Sequence, residues 1–91
     1  MEQYVVRLDQ AGQWVLLGST PEDKKDDSEV VVRSFDIAIE GATGSGPGAP
    51  DGDPVPVPAG EGRRLVGRHF FVRLPADATG SCRVSHRGLI E

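Results

Sequence analysis

A chain of 91 residues with 26 % charged side chains and a net charge of −4 is one small domain, whose modest core makes added buried area from a partner valuable. Its acidity argues against a nucleic-acid binder, which needs a basic face for phosphates. No apolar run reaches membrane-spanning length, and the lone Cys82 rules out an internal disulfide.

Along the chain, Gln3 to Asp9 alternates, with Tyr4, Val6 and Leu8 on one side and Val5, Arg7 and Asp9 on the other. That period of two predicts a strand. Gln10 to Gln13 reads as a hairpin turn with Gly12 at a position needing positive φ, and Gln13 to Leu17 as the returning strand. Trp14 and Leu16 fall on one face and Val15 and Leu17 on the other, so this strand is expected to be covered on both sides. Gly18 to Ser28 breaks the pattern. Thr20 and Pro21 before Glu22 and Asp23 suit a helical turn, yet nothing apolar lies between Pro21 and Ser28, so a loop is the better reading.

Glu29 to Glu40 is strongly β in character, with Val30 and Val32 at even positions but Phe35, Ile37 and Ile39 at odd ones. The slip near Arg33 and Ser34 signals either a β-bulge or a change of sheet at a sandwich corner. Gly41 to Gly62 follows, rich in glycine and carrying Pro54-Val55-Pro56-Val57-Pro58. Alternating proline cannot form a central strand and favours a stiff polyproline conformation. The segment is expected to be a long extended loop or arm laid on a partner protein, with Pro54, Val55, Pro56, Val57 and Pro58 as the candidate partner-binding residues.

The C-terminal third reads as a hairpin. Arg64, Val66, Arg68, Phe70, Val72 and Leu74 form one row of a first strand, with His69, Phe71 and Arg73 opposite. Pro75 to Gly80 supplies the turn, and Cys82, Val84, His86 and Ile90 alternate against Ser81, Arg83, Ser85 and Arg87 in the second. Strand, proline, turn and strand in that order are generic to jelly-roll and sandwich hairpins.

No catalytic or cofactor-binding set emerges. His69, His86 and Cys82 are the one conceivable metal group, and none has the paired spacing of a metal site. Ser85 and His86 are adjacent in a strand and so face opposite sides, which rules them out as nucleophile and base. Asp51-Gly52-Asp53 lacks the rest of a calcium loop, and Gly44 to Gly48 lacks the lysine of a phosphate loop. Trp14 and Tyr4 read first as core and second as a stacking platform for sugar.

Acids gather at Glu22, Asp23, Asp26, Asp27 and Glu29, and arginines at 63, 64, 68, 73, 83 and 87. This layout fits a solvated sheet face or head-to-tail complementarity between copies. The chain has no Asn, two Lys and much Gly, Ala, Pro, Val, Asp and Arg, a usage that points to GC-rich codons and to a bacterium or phage of high GC content. Met1 to Tyr4 has no basic leader and no apolar run follows, so a cytoplasm-made protein, not exported by a signal peptide, is expected.

The expectation is therefore an all-β fold, a small antiparallel β-sandwich or barrel-like domain over residues 1–91, with a long Gly/Pro-rich loop at 41–62. The expected function is that of a non-enzymatic structural subunit of a large assembly such as a phage virion, decorating or stabilising a capsid. Its partners would be another protein or copies of itself, without cofactor, metal, membrane or specific nucleic acid. A bacterial regulatory module working by strand addition is the alternative; a carbohydrate-binding sandwich ranks third.

Overall fold

The computed structural model describes residues 3–88. They form eight strands: β1 (Gln3–Leu8), β2 (Val15–Ser19), β3 (Ser28–Ser34), β4 (Ile39–Gly44), β5 (Val55–Val57), β6 (Gly62–Gly67), β7 (His69–Arg73) and β8 (Cys82–Gly88). Sheet one has the order β1-β8-β3-β6 and sheet two the order β2-β7-β4-β5, every neighbouring pair antiparallel. The two sheets pack face to face as a sandwich, and the strand order is that of an eight-stranded jelly roll. Only the β4–β5 connection stays within one sheet. Among the described residues no helix is long and apolar enough to cross a membrane.

Period-two patterning builds the core. In β3 the even residues Ser28, Val30, Val32 and Ser34 are buried while Glu29, Val31 and Arg33 are exposed. Leu8, Leu65 and Val84 from sheet one meet Ile39, Val57, Phe70 and Val72 from sheet two. Of the two readings of the slip at Arg33 and Ser34, the corner is correct: β3 belongs to sheet one and β4 to sheet two. Ser34 makes that corner tolerable in the dry interior. Its N–H donates to Glu61 O, its carbonyl accepts from Gly60 N–H, and its hydroxyl donates to Ile37 O and contacts Cys82 Sγ.

Several sequence expectations need correction. The row Arg64 to Leu74 is two strands: β6 lies in sheet one and β7 in sheet two, with the chain bending at Arg68. Leu65 and Gly67, not Val66, therefore face inward in β6, and Val66 is 56 % exposed. Neither expected hairpin forms, because β1 and β2 lie in different sheets, as do β7 and β8. The turn chemistry was real, with Gly12 at φ 76 and Gly80 at φ 89, but each turn passes the chain across the top of the sandwich rather than back along the same sheet. His69 and His86 are consequently in separate sheets, not side by side. Cover on both sides of residues 14–17 is incomplete, since Leu16 remains 41 % exposed. Pro21 opens a turn closed by Lys24 N–H to Pro21 O at 3.0 Å, not a helix. The place given above to Ile90 and the side chain of Tyr4 lie outside the described residues.

Residues 41–62 are not a single extended arm. Gly41 to Gly44 complete β4, and Val55 to Val57 form β5, paired with β4 as the outer strand of sheet two. Proline is compatible with this place because an edge strand needs N–H groups on one side only. Val55 and Val57 oppose Gly41 and Ile39, and Val57 is 0 % exposed in the domain's own core. Between the strands, residues 45–54 are held by their own chain. Asp51 Oδ2 accepts from the Ser45 hydroxyl at 2.6 Å and from Ser45 N–H, while the N–H groups of Asp51 and Gly52 donate to Thr43 O.

Candidate functional site: the outer face of sheet one

The five candidate partner-binding residues at 54–58 divide. Pro54 and Pro56 are exposed, Val55 and Pro58 half-buried, and Val57 fully buried. They are brought together on one edge, but Val57 faces inward. With proline at 54, 56 and 58, the outward side of this edge has no N–H to offer a further strand.

The outer face of sheet two is covered in part by its own chain, with Leu16, opposite Phe71 in the register, left exposed. Phe71 points away from the core row of Phe70 and Val72, yet is only 2 % exposed. The β4–β5 loop explains this. It crosses Gly44 so closely that an added Cβ there would sit 2.8 Å from Ala49 O and 3.2 Å from the Phe71 ring. Further along, Arg73 Nε donates to Glu40 Oε1 at 2.9 Å, and its guanidinium lies 4.4 Å from the centroid of the Trp14 ring. One face of Trp14 is thus occupied, which weakens it as a sugar platform.

Sheet one differs. Odd-numbered residues of β3 and β8 and their partners on β1 and β6 face outward. The register sets Glu29 beside Val66, then Arg87, Val31 and Arg64 in a row, then Val5, Ser85 and Arg33, and finally Arg7 beside Arg83. Phe35 adds one more residue at the end of β3, its N–H donating to Arg83 O and its ring 5.6 Å from the Arg83 guanidinium. Five arginines therefore share one face with Val5, Val31, Phe35 and Val66, all large apolar side chains left exposed. Ser85 is outward yet 4 % exposed, flanked by Val5 and Arg33 across the sheet and by Arg83 and Arg87 along its strand. Long arginine stems lie flat enough to cover so small a residue.

Two of these arginines have carboxylate partners: Arg64 with Glu29 at 2.7 Å and Arg83 with Asp36 at 3.2 Å. The Arg83 side chain, and then its backbone N–H, donate to Asp36 and hold that carboxyl below the usual range. Arg7 donates to the Ser81 hydroxyl and Arg33 to Gly60 O. Arg33 and Arg87 have no carboxylate partner among the described residues, and Arg7 forms no ion pair there but acts through space on Asp36.

The acids lie elsewhere. Glu22, Asp23, Asp26 and Asp27 occupy the β2–β3 loop at the Glu29 end of the sandwich. Arg68 fixes that loop by donating to the carbonyls of Lys24 and Asp26, each at 2.9 Å. Thr20 seals its base, its hydroxyl donating to Gly67 O and accepting from Ser28 N–H. Beside it lies an open cleft of about 530 Å³ lined by Ser19, Thr20, Pro21, Glu22, Asp23, Pro47 and His69. There Ser19 Oγ is 2.6 Å from His69 Nδ1, a hydroxyl–imidazole contact across 50 residues of sequence. Sequence reasoning missed it because only the β2–β7 register makes the two residues neighbours. Among the described residues no carboxylate is hydrogen-bonded to His69 as the third group that orients a catalytic base. Among the described residues no group of three His, Cys, Asp or Glu side chains is placed to hold a metal ion. Comparison with known proteins adds no constraint: no family model matches the chain, and no curated protein or solved structure matches it.

Proposed function

We propose that the chain is a non-enzymatic interaction subunit of a larger protein assembly, docked through the outer face of sheet one. The observation that carries this is the contrast between the sheets: on one outer face the chain's own loop covers Phe71 and leaves Leu16 exposed, and the other is left with exposed arginine and valine side by side. Arginine and apolar side chains together suit a protein interface, whose centre is enriched in such residues and depleted in lysine. A virion subunit that decorates or stabilises a capsid is the assembly this reading favours, given the short β chain and its GC-rich residue usage. The jelly-roll order supports that choice by analogy alone, since lectins and cupins share the architecture.

Strand addition is the second reading, and specific observations narrow it. The β5 edge is blunted by its prolines and the β2 edge by a bulge between Leu16 and Gly18. The edges left for an added strand are β1 and β6, both in sheet one.

The test is co-sedimentation. A tagged chain produced in its native host during particle assembly is expected in the high-mass fraction. The doubly reversed variant Arg33→Glu with Arg87→Glu, folded by circular dichroism, is expected in the supernatant. Equal sedimentation of the two would remove sheet one's outer face as the docking surface.

A further inference from the structure

Resting on that docking face, we infer that its occupant is the acidic end of a second copy of this chain, so that copies stack head to tail. Two arginines on the face, Arg33 and Arg87, have no carboxylate partner among the described residues. At the β2–β3 loop end of the face, Glu29 is already engaged by Arg64 at 2.7 Å. The positive charge without a partner thus lies along β3 and β8, the two central strands of the sheet. The β2–β3 loop carries Asp26 and Asp27 exposed, on a backbone that Arg68 holds through two carbonyls.

Among the described residues, Asp26 and Asp27 of the loop form no ion pair with the arginines of the face. Between molecules they are complementary, and unlike charge steers and orients such an encounter. Val5 and Val31, exposed among the arginines, supply apolar area that a purely electrostatic contact would lack. Because the two patches differ, the contact is heterologous and builds a ring or an open stack rather than a two-fold dimer. Nucleic acid is the competing occupant of a basic sheet face. The net charge of −4 disfavours it.

Charge exchange between copies tests this. Sedimentation velocity of the full chain at low ionic strength should show species larger than monomer, weakened on the order of tenfold at about 0.3 M salt. Arg33→Glu with Arg87→Glu makes the face acidic; Asp26→Lys with Asp27→Lys makes the loop basic. Each variant alone should be monomeric, and an equimolar mixture should co-assemble, since each then offers what the other needs. Thermal melting of each variant separates misfolding from lost contact. Arg33→Gln with Arg87→Gln is a milder face variant and should also reduce assembly. A monomeric wild type, a loop reversal without effect, or a mixture that stays monomeric overturns the inference. So does a DNA duplex binding the face of a chain that does not self-associate. Those failures leave docking to another protein intact; that reading falls only if the face-reversed chain still co-sediments with its particle.

Discussion

The two outer faces of this sandwich begin from the same geometry and end differently. Sheet two presents Phe71 outward, and the β4–β5 loop comes back over it, using Gly44 to bring backbone against strand. Sheet one presents Val5, Val31 and Val66 outward and nothing of the described chain returns to cover them. The difference teaches that an exposed apolar residue is informative in its setting. A chain with a glycine-rich segment able to roof one face has left the other to arginine and valine.

If that contrast is right, Phe71 behaves as core although it points outward. Phe71→Ala should cost about 3–5 kcal/mol, as for a buried aromatic, whereas Val66→Ala should stay within about 0.5 kcal/mol. Urea unfolding of the two variants measures it, and similar small losses in both would mean that sheet two is not roofed.

Replacing residues 45–54 with a short Gly-Ser linker should cost about 2–3 kcal/mol by exposing Phe71 and freeing Thr43 O. An unchanged melting temperature would show the loop to be a bystander. Gly44→Ala is the gentler version. Its methyl would meet Ala49 O at 2.8 Å, and displacing the loop should cost about 1–3 kcal/mol, with faster amide exchange at Asp51 and Gly52.

Acid acts on the two sheets at different stages. Burial at 5 % exposure lowers the pKa of His86, on the inner side of sheet one, below its ordinary 6.5. The unfolded chain therefore binds that proton first as pH falls. Stability should be level above about pH 6.5 and decline below it, until the folded-state pKa is passed. The carboxyl of Asp51, lowered chiefly by the Ser45 hydroxyl, stabilises the loop over sheet two above 3.8 and ceases to as pH drops further. Denaturation midpoints across this range should show the two declines in that order, and His86→Gln should abolish the upper one. The smallest effect belongs to the open face: Arg33→Gln with Arg87→Gln should move stability by no more than about 0.5 kcal/mol, since among the described residues neither side chain has an ion-pair partner to lose.

Much of the fold could be read from residues alone. The alternation in β1 and β3, the slip at Ser34 and the positive φ of Gly12 all carry local signatures. What escaped was which sheet each strand joins. Val66, Arg68 and Phe70 keep one parity straight through the bend at Arg68, so the pattern shows no break where the chain changes sheet. A turn over the top of a sandwich uses the same proline, aspartate and glycine as a hairpin. The docking face escaped for a related reason. Its arginines come from β1, β3, β6 and β8, and register alone gathers them, whereas the run Arg63 to Arg73 that looked basic in sequence is shared between both sheets. The prolines at 54, 56 and 58 were correctly kept out of a central strand, but an edge strand sealing its own core is a place that composition does not distinguish from an arm.

In sheet one the last strand, β8, lies between β1 and β3. While residues 82–88 are still inside the ribosome, β1 has no strand to pair with and sheet one can form only its β3–β6 ladder. Completion of sheet one therefore waits until β8 has emerged, and then proceeds through distant pairings of the kind that take on the order of milliseconds to seconds. During that interval the chain carries an unpaired β1 with Val5 and Val6, and this makes the newborn protein a natural client for chaperones.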